Sequence, residues 1–202
     1  MQRNMKSDID NATNFLFEET YHMWRSDLQK IFRIGTKSTK GGCNFSSCML
    51  VMIGIESFSK YFSSKESNKG AFSDFFDNYY PDQYHGKMKK IYELFRHGLA
   101  HYYYPKCEYK LKNITIISFW LDRNMKVISL SHIKRDLDYY RTRGIKLNPS
   151  DRKPYVIVPQ VLFLDTVNVM EKLKKTVKID SSLRNQFIKN YLKIKKDLRH
   201  IV

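Results

Sequence analysis

Apolar side chains recur at helical spacing along most of this chain. In residues 8–34 they alternate with acidic and basic residues every three or four positions, which predicts a long amphipathic helix. A second helix is predicted at residues 45–62, and its first half, CMLVMIGIESF, is apolar on nearly every side, so we expect it at the centre of the fold. Glu56 lies inside this apolar run, and its carboxylate must therefore be paired, be protonated or face an opening.

The rest of the chain predicts further helices and one pair of strands. The helices are expected at residues 71–80, 83–104, 131–140, 158–177 and 181–200, with Ser181 or Ser182 as the N-cap of the last one. Residues 109–130 are rich in β-branched and aromatic side chains on either side of the turn Asp122-Arg123-Asn124, which predicts a β-hairpin. The expected fold class is mainly α: a helical bundle core (1–106), followed by an inserted β-hairpin and basic C-terminal helices (107–202) that pack on the same domain.

The composition indicates which class of partner the protein binds. A chain of 202 residues, 42% of them hydrophobic, can bury one sizeable core. The 36 basic residues exceed the 20 acidic residues and give a net charge of +16. A charge of this size indicates a polyanionic partner, with nucleic acid first and an anionic membrane surface second, although a merely solvated lysine-rich surface stays open.

Cysteine usage and hydropathy indicate in which cellular compartment the protein is expected. Cys43, Cys48 and Cys107 cannot all pair within one chain, and their spacing matches no zinc site, so we expect reduced and mostly buried thiols. No targeting segment is visible, and the longest apolar run, at residues 48–55, is far shorter than a membrane span. We therefore expect a cytoplasmic protein without a membrane partner.

The segment Arg96-His97-Gly98-Leu99-Ala100-His101 is the strongest candidate for chemistry. On an α-helix Glu93, His97 and His101 fall on one stripe at four-residue spacing, with Arg96 beside it. Histidine changes protonation state near neutral pH, and arginine presents a charged fork that matches phosphate. Together they are sufficient for RNA cleavage without metal, in which the 2′-hydroxyl attacks phosphorus, histidine moves a proton and arginine stabilises the charged transition state.

The surrounding stretch YELFRHGLAHYYYPK resembles the HEPN family, whose motif is an arginine, four to six residues and then a histidine near the end of a core helix. The resemblance implies a helical bundle that forms a homodimer with two facing motifs. It also implies a metal-independent endoribonuclease of toxin, defence or RNA-processing systems, although other members bind RNA or nucleotides without cleaving. In one toxin subgroup a partner nucleotidyltransferase modifies a tyrosine two residues after the histidine, and Tyr103 holds that position here.

The resemblance also implies roles for individual residues. Arg96 is expected to bind the scissile phosphate, His101 to act as general acid and base, and His97 or Glu93 to orient His101. The expected products are a 2′,3′-cyclic phosphate and a 5′-hydroxyl end. Further RNA contacts are expected from side chains near the motif and in a basic loop, namely Tyr102, Tyr103, Lys106, Lys37 and Lys40.

Other interpretations of these residues must be weighed beside this one. The arginine and histidines could simply be solvated or pair with Glu93, in a non-catalytic module that binds RNA or an antitoxin-like protein. A metal between His97 and His101 is not expected, because Gly98 stands where a zincin motif requires glutamate, and no cofactor is expected. Residues 171–200 carry ten basic and three acidic residues on an amphipathic helix, which could contact an RNA backbone or could dock with a solvated lysine face.

Overall fold

The computed structural model describes residues 5–37, 44–97, 108–110, 113–115, 117–119, 155–157 and 159–199. This part of the chain is mostly helical, which confirms the helical class. Its α-helices are α1 Met5–Thr13, α2 Tyr21–Lys37, α3 Asn44–Phe62, α4 Asn68–Tyr79, α5 Met88–Ile91, α6 Pro159–Ile179 and α7 Ser181–Arg199. Two π-helical segments, Asn14–Thr20 and Tyr92–His97, and a short 3-10 turn, Asp82–Tyr84, complete the helical elements.

The predicted first helix is one helical run with a wider turn in its middle. The π-helical segment Asn14–Thr20 joins α1 to α2, and the backbone stays in the right-handed helical region at both junctions. Inside the segment the Thr20 hydroxyl donates to the carbonyl of Phe15 at 2.9 Å, five residues earlier. Hydroxyl side chains that bond to preceding carbonyls compete with the regular α-helical ladder, which fits the widened turn at this position.

Helix α3 lies at the centre of the fold, as its apolar sequence predicts. Val51, Met52 and Ile55 are completely excluded from solvent. At Gly54 an added Cβ would overlap the indole ring of Trp24, so α2 and α3 approach closely at this glycine. The Trp24 indole also donates to the carbonyl of Leu50 at 2.9 Å, which ties α2 to α3 at the same level.

Helices α6 and α7 contribute to the same hydrophobic core as α3. The Phe163 ring of α6 lies 5.2 Å from Trp24, and the Phe187 ring of α7 stacks on Phe62 at 5.4 Å between centroids. Aromatic pairs of this kind add roughly 0.5–1.5 kcal/mol each beyond the area that they bury. The docked side of the basic C-terminal helix is therefore established, and contact of its lysines with RNA stays a prediction.

The helix starts show how local sequence sets the boundaries. Ser67 precedes α4, and its hydroxyl accepts a hydrogen bond from the backbone of Gly70 at 3.1 Å. For α7 the sequence predicts Ser181 or Ser182 as the cap, but the carboxylate of Asp180 accepts from the backbone of Leu183 at 3.0 Å. Ser181 is thus the first helical residue and the capping prediction is wrong by one position, since aspartate caps as well as serine does.

The predicted β-hairpin is not seen among the described residues, and its turn at Asp122-Arg123-Asn124 and its second arm lie outside them. Strand β1 (Glu108–Lys110) pairs antiparallel with β2 (Asn113–Thr115). Strand β3 (Ile117–Phe119), which the sequence places in the first arm of the hairpin, pairs in parallel with β4 (Tyr155–Ile157). A pattern of β-branched residues predicts a strand but not its partner, and here the partner comes from a segment more than thirty residues later. The predicted helix at 131–140 lies outside the described residues.

Candidate functional site

The helix that carries Arg96 differs from the predicted one in its start and in its winding. The prediction begins it at residue 83, whereas a turn at Gly86, with φ of 70°, separates the 3-10 turn from α5. The backbone amide of Gly86 donates to the Asp77 carboxylate at 2.8 Å, which stabilises this break. Helix α5 then widens into the π-helical segment Tyr92–His97. Short π-helical turns inside α-helices are frequent at functional sites.

Arg96 forms an ion pair with Glu56 of α3. Its Nε lies 2.7 Å from Oε2 of the carboxylate. The Glu56 side chain is 9% exposed and the Arg96 side chain 25% exposed. Of the three states that the sequence allows for Glu56, the structure shows the paired one. A guanidinium held through Nε has a restricted orientation, and it stays charged because arginine does not deprotonate in proteins.

Two more donors complete the surroundings of the Glu56 carboxylate. Nδ2 of Asn68, the first residue of α4, lies 2.9 Å from Oε1. The Tyr92 hydroxyl also hydrogen-bonds to Glu56, and burial together with the negative charge of Glu56 raises the pKa of Tyr92 to about 12. The carboxylate thus accepts from a guanidinium, an amide and a phenol. A buried charge needs such partners, because an unpaired one costs several kcal/mol.

Glu93, one turn before Arg96, has a partner that the sequence did not indicate. Its carboxylate forms an ion pair with Lys69, which follows Asn68 in the first turn of α4. Two consecutive residues of α4 therefore hold the centre, Asn68 through Glu56 and Lys69 through Glu93. This cluster of Glu56, Asn68, Tyr92, Glu93 and Arg96, together with Lys69, is called the Arg96 centre below.

The structure tests only some of the predicted site residues. It brings Arg96 and Glu93 to one centre, although each pairs with a different residue. The backbone of His97 ends the π-helical segment and that of Lys37 ends α2, but their side chains lie outside the description. The remaining predicted site residues lie outside the described residues altogether, namely Lys40, His101, Tyr102, Tyr103 and Lys106.

Sequence reasoning missed three members of the centre. Asn68 and Lys69 lie in a polar stretch whose composition predicts a loop. The position of Tyr92 predicts only an ordinary apolar residue of an amphipathic helix. The one usable signal was Glu56, since a carboxylate inside an apolar run demands donors from elsewhere in the chain.

The described side chains of this centre can bind an anion but provide no histidine for proton transfer. Arginine matches phosphate with two parallel donors, and the contact of Arg96 with Glu56 is made through its Nε. In the part of the chain that the structure describes, no three His, Cys, Asp or Glu side chains form a group that could hold a metal ion. None of the helices described is both long and apolar enough to cross a bilayer.

Comparison with known proteins adds no assignment. No family model, no curated protein and no solved structure matches this chain. The function must therefore be argued from the residues and their geometry.

Proposed function

We propose that the protein is a metal-independent endoribonuclease of the HEPN type. The 2′-hydroxyl of RNA attacks the neighbouring phosphorus, the bond to the 5′-oxygen breaks, and the products carry a 2′,3′-cyclic phosphate and a 5′-hydroxyl. Arg96 stabilises the phosphorane-like charge, and His101 removes the 2′-hydroxyl proton or protonates the leaving oxygen. His97 is the better candidate to orient His101, because Glu93 already pairs with Lys69.

The single observation that carries this proposal is the way Arg96 is held. Its Nε is fixed by a carboxylate that is nearly buried, while a quarter of the arginine side chain is exposed. A charged group oriented before substrate arrives costs no reorganisation during the reaction, and such preorganisation is the main source of electrostatic catalysis. The net charge of +16 adds a field that attracts RNA to any exposed cation.

Other parts of the proposal follow from the resemblance. Tyr102, Tyr103 and Lys106 follow the motif and contact RNA, as do Lys37, the last residue of α2, and Lys40. Two chains form a homodimer that brings two motifs together. The protein acts in a toxin–antitoxin or defence system. An antitoxin, or a nucleotidyltransferase that modifies Tyr103, controls the activity that a cytoplasmic ribonuclease would otherwise exert on cellular RNA.

The test is RNA cleavage in EDTA. Purified protein should cut total RNA, and Arg96→Ala and His101→Ala should each lower the rate by about 100-fold or more. The matched control is Arg25→Ala, which removes an arginine from a second arginine–glutamate pair, with Glu171. It should cleave at the wild-type rate.

Two results contradict the mechanism directly. One is cleavage that requires a divalent ion, and the other is cleavage that survives in both Arg96→Ala and His101→Ala. The ends of the product give an independent check, because a 3′-phosphate that forms without passing through the cyclic phosphate, or a 5′-phosphate, excludes attack by the 2′-hydroxyl.

A second function has one observation in its favour. An arginine that neutralises a buried glutamate has a structural reason to be there, so Arg96 also fits a non-catalytic module that binds RNA or a protein. This alternative predicts salt-sensitive RNA binding without strand scission. It also predicts that Arg96→Ala loses stability, while the wild type shows no cleavage in any buffer.

A further inference from the structure

A cavity of about 370 Å³ lies between the end of α3, the connection from α3 to α4, and α7. Its charged lining consists of four lysines and two carboxylates: Lys60, Lys65, Lys189, Lys193, Glu66 and Asp197. Four positive against two negative charges leave an excess of two positive charges. The volume falls within the range of pockets that hold small ligands. This cavity is called the lysine pocket below.

The walls of the lysine pocket are held by hydrogen bonds to backbone carbonyls. Nδ2 of Asn190 on α7 donates to the carbonyls of Ser63 at 2.9 Å and Tyr61 at 3.1 Å. The backbone amide of Lys65 donates to the Ser63 hydroxyl at 3.0 Å, which stabilises the connection from α3 to α4. The two bonds of Asn190 tie α7 to the end of α3 at the wall of the pocket.

Among the described residues, few carboxylates pair with the ammonium groups of the pocket. Among the residues that the structure describes, Lys193 alone of the four lies within ion-pair distance of a carboxylate, at 3.6 Å from Glu66. These two side chains are 65% and 89% exposed, so their attraction is screened by water and salt. An incoming anion can displace this contact at small cost.

We propose that the lysine pocket binds the phosphate groups of a nucleotide or of an RNA strand. Lysine binds phosphate as a flexible point charge, and several lysines around a concave site suit an anion with more than one charge. The described lining contains no aromatic ring on which a base could stack. The pocket therefore recognises phosphate and is indifferent to the base, as backbone contacts generally are.

The lysine pocket is connected to the Arg96 centre through one side chain. Asn68 lines the pocket and also donates to Glu56, the carboxylate that holds Arg96. An RNA strand bound at Arg96 can thus continue into the pocket around the first turn of α4. This RNA form of the inference rests on the function proposed above, whereas binding of a free nucleotide does not.

The experiment measures binding of a labelled 2′-O-methyl RNA of about 12 nucleotides, a length that covers one typical single-strand site. Methylation removes the attacking hydroxyl, so binding is measured without cleavage. ATP and inorganic tripolyphosphate serve as competitors. The pocket variant is Lys60→Gln with Lys189→Gln, and the control variant is Lys30→Gln with Lys87→Gln, two exposed lysines that neither line the pocket nor belong to the basic stretch 171–200.

Both variants lose two positive charges, so any difference between them reports position and not net charge. The pocket variant should bind the RNA about fivefold more weakly than the control, and its slope of log affinity against log salt should be shallower by about 1.4, as expected for two lost phosphate contacts. Both should unfold at the wild-type temperature, because all four lysines are exposed.

The competitors distinguish the two sources of phosphate. Displacement of the RNA by ATP and tripolyphosphate from the wild type, but not from the pocket variant, assigns the pocket to a free nucleotide. A pocket effect that grows with RNA length and is insensitive to ATP assigns it to an RNA strand. Equal affinities of the two double variants for every probe overturn the proposal. If the wild type binds at the pocket but does not cleave RNA in EDTA, the proposed ribonuclease is refuted and the proposal for the lysine pocket stands.

Discussion

Two arginine–glutamate pairs in this protein have the same groups in different surroundings. Arg96 pairs with Glu56 at 2.7 Å, and Arg25 of α2 pairs with Glu171 of α6 at 3.1 Å. The glutamate side chain is 9% exposed in the first pair and 45% exposed in the second. Each glutamate also accepts from a tyrosine hydroxyl, Tyr92 in one case and Tyr21 at 3.1 Å in the other.

The difference shows that burial, and not the identity of the partners, decides what an ion pair does. Glu171 can exchange Arg25 for water, so this pair contributes little to stability. Glu56 has no such exchange available, so its donors are required for folding and in return hold Arg96 in one orientation. An arginine that must orient a phosphate gains from the buried arrangement of Arg96 and Glu56.

The largest effect is expected from removing the buried glutamate, Glu56. Glu56→Ala should lower the free energy of unfolding by about 3 kcal/mol, since Arg96 and Asn68 lose a buried acceptor. Glu171→Ala, the matched control, should cost less than about 1 kcal/mol, and that cost should shrink further in high salt. Urea denaturation of both variants measures the difference. Equal losses would show that the two pairs are equivalent and would remove the argument for a preorganised arginine.

An intermediate effect is expected at the contact that lies between the two pairs. Gly54, close to Glu56 on α3, packs against Trp24, which neighbours Arg25 on α2. Gly54→Ala should destabilise the fold by about 2 kcal/mol, because the new methyl group forces the indole out of its place.

Ser57→Ala, on the exposed side of α3, controls for the helix propensity of alanine and should be neutral or slightly stabilising. Thermal unfolding of the two variants is the measurement. A wild-type midpoint for Gly54→Ala would mean that α2 and α3 are not in close contact, and that the two pairs can move independently.

The smallest effect is expected from the tyrosine beside Glu56. Tyr92→Phe should cost about 1 kcal/mol at neutral pH, the typical net value of one hydrogen bond. The pKa of Tyr92 is raised to about 12, so the folded state keeps its proton where the unfolded chain, with a pKa near 10, loses it. Stability from this group is complete below pH 10 and is lost as the pH rises from about 10 to 12.

Unfolding midpoints between pH 9 and 12, compared for wild type and Tyr92→Phe, therefore test the sign as well as the size. The variant should lose less stability than the wild type over this interval. Tyr21→Phe should behave similarly, because burial and Glu171 raise the pKa of Tyr21 as well. Parallel curves for wild type and Tyr92→Phe would place Tyr92 outside the Arg96 centre.

Several elements could be predicted from the sequence because their causes are local. Residues 45–62 fold as α3, and residues 158–177 and 181–200 correspond closely to α6 and α7, since each carries a continuous apolar face. Strand pairing, in contrast, has causes that are not local. A strand pattern at Ile117–Phe119 is local, but its pairing with Tyr155–Ile157 depends on how a long intervening segment returns to it.

In the candidate site, too, some features follow from the local sequence and others only from the tertiary structure. The order of residues alone identifies Arg96 as a charged residue near the end of an apolar helix, and identifies Glu56 as a carboxylate that needs a partner. That the two are each other's partner, forty residues apart, follows only from the crossing of α3 with the π-helical segment. Asn68 joins them because the cap at Ser67 starts α4 beside that crossing.

The sequence by itself determined the helical class, the charge of the molecule and the requirement that Glu56 be satisfied, because composition and periodicity act over a few residues at a time. The tertiary structure alone decided which arginine satisfies Glu56, how deeply the pair is buried, and that four lysines from three elements surround one cavity. These properties depend on distances between segments far apart in the chain, which are set by packing and which no local pattern encodes.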